Sequence, residues 1–227
     1  MFTGIIQEVG RIIQMESLPS GHLKMGIATK RDQKNIQIGA SIACDGVCLT
    51  VESMKSAANP FNTVFFVTAS AETTSLTTLN PSLQQFKIGH DVNLEGSLHL
   101  GDELGGHFVF GHVDRVITLK DRQMVGSSCM MRFDLPSSLA GLVVKKGSVA
   151  LNGVSLTVNK IEDNAFEIML IPHSLSNTNL QHLQAGDKVN FEADMLARYV
   201  LRQNLLHQDM LPQGELAEMP KATASDL

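Results

Sequence analysis

Two stretches of this chain are near copies of one another, and that duplication restricts the fold more than any other feature. Segment 41–51 reads SIACDGVCLTV and segment 148–158 reads SVALNGVSLTV; seven of the eleven positions are identical at an offset of 107. Ile42/Val149 and Asp45/Asn152 are close replacements. A second pair, GHDVNLE at 89–95 and GDKVNFE at 186–192, follows in the same order at an offset of 97. More weakly, Phe2-Thr3-Gly4-Ile5-Ile6 lies opposite Val109-Phe110-Gly111-His112-Val113. A repeat of this length is a whole domain and not a solenoid unit. The expected organisation is copy one at 1–107 and copy two at 108–204.

Each copy reads as β. Asp45-Gly46 and Asn152-Gly153 each sit between two apolar alternating runs. These are the residue pairs that a type I′ hairpin prefers, because both central residues need φ > 0. Further strands are expected at 2–13, 22–28, 62–70 and 91–97, with partners near 109–119, 129–134, 165–171 and 188–194. Short strands split by Gly, Pro and Asn point to an all-β fold of two small closed barrels in tandem, since closure removes exposed edges.

The segment after 193 changes character. It carries helix formers without Gly or Pro, Asp194 can cap it, and Leu196, Tyr199, Val200 and Gln203 recur at helical spacing. A helix is expected at about 194–208, packed on its own barrel or on another subunit, followed by a polar, frayed tail at 209–227.

With 43% hydrophobic and 18% charged residues, the chain can bury a core. Its net charge is −5 and no Lys/Arg stripe is present, which argues against a nucleic-acid partner. No apolar stretch approaches the roughly 18 residues of a membrane span, and the N-terminus does not read as a signal peptide. Cys44, Cys48 and Cys129 lack metal-ligand spacing and are too few for a disulfide scaffold; the expected setting is the reducing cytoplasm, with no metal.

Residues able to carry chemistry gather at the junction of the copies. GGHFVFGHVD, at 105–114, holds His107 and His112 among glycines. Glycine lets backbone approach a ligand closely and histidine moves protons near neutral pH, although a plain surface loop fits the same pattern. Copy one has Cys48 where copy two has Ser155, and Asp194 stands opposite Ser97, so the copies have diverged. Cys48 also reads as a small buried hydrophobe, and Asp194 as a helix cap. The polar turns Glu72-Thr73-Thr74 and His173-Ser174 close apolar strands and can offer contacts to a heterocycle. Phosphate-loop, nucleophile-elbow and dinucleotide motifs are absent.

The opening MFTGII, the segments DGVCLTV, GGHFVFGHVD and LNGVSLTV, and the IPHSL turn together resemble the riboflavin synthase family through about residue 204. The resemblance implies two six-stranded Greek-key barrels and a C-terminal helix that assembles a homotrimer. It implies a dismutation of two 6,7-dimethyl-8-ribityllumazine molecules, with no metal or organic cofactor. One lumazine would bind per barrel, with the site between the N-terminal barrel of one subunit and the C-terminal barrel of the next. Ser41, Cys48, His112 and Asp194 carry over as catalytic residues: His112 and Ser41 for proton transfer from a C7 methyl, Cys48, Ser41 or a water for adduct formation, Asp194 for orientation.

Substrate contacts are expected from Gly4, Ile5, Ile6, Cys48, Leu49, Thr50, Thr68, Ala69, Ser70, Ala71, Glu72 and Thr73 in copy one. In copy two they are expected from Gly111, His112, Val113, Lys146, Ser155, Leu156, Thr157, Met169, Leu170, Ile171, Pro172, His173 and Ser174. The family usually has Ser where this chain has Phe110. A non-catalytic, antenna-type flavin- or lumazine-binding protein is the rival from another class, and association with lumazine synthase is left open.

Overall fold

The structure is a computed structural model that describes residues 1–83 and 85–210. Copy one contains β1 (Glu8–Ser17), β2 (Leu23–Thr29), β3 (Ser41–Cys44), β4 (Val47–Thr50), β5 (Ser53–Ser56), β6 (Thr63–Ala69), the short helix α1 (Ala71–Leu76) and β7 (Asp91–Gly96). Copy two contains β8 (Arg115–Val125), β9 (Ser128–Asp134), β10 (Ser148–Leu151), β11 (Val154–Glu162), β12 (Ala165–Leu170), α2 (Pro172–Asn177) and β13 (Lys188–Ala193), followed by α3 (Met195–Met210). Beyond residue 210 the expected tail lies outside the described residues.

Copy two is a closed barrel in the order β10-β11-β12-β9-β8-β13. Copy one follows the equivalent order, β4-β3-β7-β1-β2-β6-β5, but as a seven-stranded sheet. The difference has one cause. β11 runs unbroken and pairs with both β10 and β12, whereas its counterpart breaks at Val51–Glu52 into β4 and β5. The break is bridged by the Glu52 N–H, which donates to the Phe66 carbonyl at 2.8 Å.

Alternation of buried and open residues fixes each register. Ile42, Cys44, Val47 and Leu49 face a core with Ile27, Phe65 and Leu94; in copy two, Val149, Leu151, Val154 and Leu156 face Phe133, Phe166 and Phe191. Both interiors are filled by side chains.

The glycine-containing turns join the copies. Asp45 and Gly46 have φ of 46° and 75°, and Asn152 and Gly153 have 45° and 78°, as a type I′ turn requires. The two turns meet tip to tip: a Cβ on Gly46 would lie 2.6 Å from the Gly153 amide nitrogen. Around them runs a reciprocal network. The Asn93 Nδ2 donates to the Asn152 carbonyl at 3.0 Å and the Asn190 Nδ2 to the Asp45 carbonyl at 2.8 Å. Asp45 Oδ1 accepts from the Asn93 N–H and Asn152 Oδ1 from the Asn190 N–H.

One expectation fails in an informative way. Residues 2–7 and 109–114 do not begin their strands; β1 starts at Glu8 and β8 at Arg115. Both segments are arms that cross to the other copy. They pair briefly at Phe2 and Val109, over an apolar cluster that includes Ala43 and Ala150. Ile6 then packs on the copy-two core and Val113 on the copy-one core.

Candidate active site

On each hairpin the residues on the face away from the barrel core are small, and most of them are polar. Strand pairing sets Ser41 opposite Thr50 and Ala43 opposite Cys48 in copy one, and Ser148 opposite Thr157 and Ala150 opposite Ser155 in copy two. Thr50 and Thr157 are exposed, and Cys48 and Ser155 are half-buried. Leu49, Leu156, Ala69 and Leu170 point into the cores, which leaves only their backbone for a ligand.

Each row is completed by the other copy's arm. The Cys48 N–H donates to the Gly111 carbonyl at 3.0 Å, and the Ser155 N–H donates to the Gly4 carbonyl at 2.8 Å. The contact is so close that a Cβ on Gly111 would lie 2.5 Å from Cys48 Cβ, and one on Gly4 would lie 2.6 Å from Ser155 Cβ. Both glycines have φ of 75°. The arms are therefore exchanged: residues 4–6 run beside Ser155 of copy two, and residues 111–113 run beside Cys48 of copy one. The exchange puts exposed His112 one residue beyond the Gly111 carbonyl bonded to Cys48, and exposed Ile5 one residue beyond the Gly4 carbonyl bonded to Ser155.

Two buried carboxylates hold the arms, and nothing in the sequence reading singled them out. Glu192 accepts from the N–H groups of Phe110, Gly111 and His112 at 2.7, 2.9 and 3.1 Å. Glu95 accepts from the Thr3 and Gly4 N–H groups at 2.7 and 3.0 Å, and from the Thr3 hydroxyl. Burial pushes both carboxyl groups up, and the donated hydrogen bonds pull them back only in part. Their places in the paired GHDVNLE and GDKVNFE segments were the available signal.

The remaining residues sit around these rows. β6 runs through Thr68 and Ala69 into α1, whose N-cap Ser70 accepts from the Thr73 N–H at 3.1 Å, with exposed Ala71 and Glu72 in its first turn. In copy two, β12 runs through Met169 into α2, with Met169, Ile171, Pro172 and His173 exposed and Ser174 half-buried. Lys146 occupies the turn before β10 with φ of 67°; its counterpart, Gly39, has φ of 88°. A lysine held where its twin is glycine is a backbone conformation that costs energy.

Beside Ser41 and Ser97 lies a hollow of about 350 Å³, and beside their counterparts Ser148 and Asp194 one of about 360 Å³. Each is within the range of small-molecule sites. Arg31, Lys34 and His99 border the first, whereas Leu196, Val200 and Leu201 of α3 border the second. Asp194 also caps α3, its Oδ1 accepting from the Leu196 N–H at 2.9 Å. Phe110 sets its ring 6.1 Å from that of His112.

The lumazine binding domain family matches the chain twice, over residues 3–97 and 110–194. The riboflavin synthase of Brucella abortus (strain 2308) is 45% identical over 203 residues, which span 89% of this chain and 97% of that protein.

The chain belongs to the riboflavin synthase family.

Riboflavin synthases of Photobacterium phosphoreum and Bacillus subtilis (strain 168) are 36% and 34% identical, covering 96% and 89% of this chain and 95% and 89% of their own lengths. The crystal structure of LumP complexed with 6,7-dimethyl-8-(1'-D-ribityl) lumazine superposes with a TM-score of 0.71 at 23% identity, over 85% of this chain and 99% of LumP. That likeness establishes the fold. Among the described residues, no helix is long and apolar enough to cross a membrane, and no group of three or more His, Cys, Asp or Glu side chains is arranged to hold a metal ion.

Proposed function

We propose that this chain dismutates two molecules of 6,7-dimethyl-8-ribityllumazine, moving a four-carbon unit from one to the other and releasing riboflavin and 5-amino-6-(D-ribitylamino)uracil. The full-length similarity to riboflavin synthases, with both repeats retained, carries the reading. The two products together contain the atoms of two substrates, so the reaction needs no external oxidant or reductant. A reaction between identical molecules is served by two sister pockets that hold both in register, which makes the encounter effectively intramolecular. Donor and acceptor nevertheless need different surroundings, and Cys48 with His112 against Ser155 with Ile5 supplies the difference.

In this proposal His112 and Ser41 move the proton of the acidic C7 methyl. Cys48, Ser41 or a water assists adduct formation on the second ring, and Asp194 orients a partner group. Backbone groups of the arms and hairpins line the pteridine edges, and Lys146 and the hydroxyls meet the ribityl chain. Residues 1–107 and 108–204 form the two lumazine-binding units. Homotrimer assembly through α3 is supported by its open apolar side, where Leu196, Tyr199 and Val200 are 65%, 69% and 61% exposed while Ala197 and Leu201 pack on the barrel. Three unpaired cysteines fit a cytoplasmic location.

The test is direct. Purified protein incubated with 6,7-dimethyl-8-ribityllumazine is expected to yield riboflavin, read by absorbance and fluorescence. Tight binding without riboflavin would make it a non-catalytic binding protein, and absence of binding would remove both readings.

A further inference from the structure

We propose that His107 is a positioning residue for the copy-two pocket: it fills the acceptor side of the Ser155 hydroxyl, so that Ser155 directs its proton outward to a hydrogen-bond-accepting edge of the bound heterocycle. This rests on the reading that the pocket binds a pteridine.

His107 lies on the connection between the two copies and is 8% exposed. Its Nδ1 stands 2.7 Å from Ser155 Oγ. Its Nε2 is buried without a partner. The ring is held from its backbone as well: the His107 N–H donates to the Thr3 carbonyl at 3.1 Å, and Gly106 packs so tightly against Thr3 and Ser155 that it has no room for a side chain.

Burial lowers the His107 pKa, opposed in part by the charge of Asp194, which keeps the ring neutral at physiological pH. A neutral imidazole carries one N–H and one lone pair. A buried N–H without an acceptor is rarer than an unsatisfied acceptor. The proton therefore belongs on Nδ1, where Ser155 Oγ accepts it, and Nε2 keeps the bare lone pair. Ser155 is left with its own O–H to give, on the outward face of β11 beside the Gly4 arm. The chosen ligand atom is then an acceptor, a ring carbonyl oxygen or an unprotonated ring nitrogen. Cys48, the counterpart, has no histidine bonded to its sulfur and offers only a weak S–H donor. His107 is thus a difference between the two pockets, bonded to Ser155 in one with no histidine on Cys48 in the other.

The tautomer can be read in the unsubstituted full chain by ¹⁵N NMR with labelled histidine, assigned through carbon correlations. The expected result is a proton on Nδ1 of His107 and no titration between about pH 6 and 8. A proton on Nε2, or an imidazolium forming in that range, overturns the proposal. In kinetics, His107→Phe is expected to raise KM for the lumazine about tenfold, the worth of one directed hydrogen bond. His107→Asn, whose amide can donate from the Nδ1 position, should stay within about threefold. Adding His107→Phe to Ser155→Ala should change nothing further, and an equal additional loss would mark His107 as merely structural. If His107→Phe does not fold, the tautomer and the His107→Asn comparison decide alone. A chain that makes no riboflavin fails the functional reading, while the tautomer still reports on His107 and Ser155.

Discussion

The Cys48 N–H and the Gly111 carbonyl are hydrogen-bonded at 3.0 Å across the boundary between two domains. Cys48 lies on a hairpin of copy one, Gly111 on the arm of copy two, and His112 follows directly. The candidate pocket of copy one therefore exists only when copy two is docked.

Gly111→Ala should damage that contact. The added Cβ would meet Cys48 at 2.5 Å, in a backbone with φ of 75° that alanine adopts poorly. We expect a loss of about 2–4 kcal/mol in stability, from backbone strain plus overpacking. Turnover should fall at least about tenfold as His112 is displaced. Denaturant unfolding and the riboflavin assay check both; wild-type values in each would mean that the arm is free to shift.

Glu192→Ala leaves three N–H groups of the arm without an acceptor, one buried and two partly buried. A cost of about 2–4 kcal/mol follows from orphaning donors that were bonded to a carboxylate. Glu192→Gln keeps one acceptor oxygen and should lose less. Glu95→Ala should destabilise similarly yet reduce turnover less, since its arm carries Ile5 and not His112. Equal activity losses from the two alanine variants would remove this distinction.

His90 should make stability depend on pH. Its Nε2 stands 3.7 Å from Asp45 Oδ2, whose side chain is 1% exposed beneath the inter-copy network. Burial disfavours the imidazolium, but the nearby Asp45 carboxylate outweighs it and raises the His90 pKa above its ordinary value. A histidine raised in the folded state stabilises at low pH, below its unfolded pKa, and that contribution fades as pH rises through the folded pKa. The melting temperature of the wild type should therefore fall relative to His90→Asn between about pH 6 and 8. Parallel curves would show that the pair contributes nothing. The comparison with the variant matters because Glu95 and Glu192, both raised, tilt the curve the same way, while His107, lowered, opposes them.

Lys146→Gly should separate stability from binding. Glycine relieves a left-handed conformation worth about 1 kcal/mol, partly offset by its greater freedom when unfolded. The variant should be at least as stable as wild type, yet bind lumazine more weakly for want of the ammonium group. Unchanged KM would take Lys146 out of the ribityl contacts.

The sequence announced the two-fold repetition, the β class and the two hairpin turns, because each rests on local chemistry: Asp45-Gly46 and Asn152-Gly153 can hardly do anything else between alternating apolar runs. It could not announce the exchange of arms. Residues 2–7 and 109–114 lead directly into strand patterns, and what holds them off is a pair of carboxylates, Glu95 and Glu192, that lie some 80 to 90 positions away. Those glutamates look like ordinary strand residues until their partners are known. His107 was visible among glycines but had no local sign of its bond to Ser155. The interruption of copy one's sheet at Val51–Glu52 was equally silent, since VESMKS and VNKIED alternate comparably.

The swapped arms also bear on ancestry. Suppose that a single-copy forebear docked on an identical molecule in the same way. Each partner would then have lent the other the same peptide, and the resulting pair of recesses could not have differed in any residue. Covalent fusion would break that equality: with both halves on one gene, a mutation can place an imidazole in the loan made to one side and an isoleucine in the loan made to the other. On that supposition, a lasting difference between the two recesses requires the lender and the borrower to be the same polypeptide.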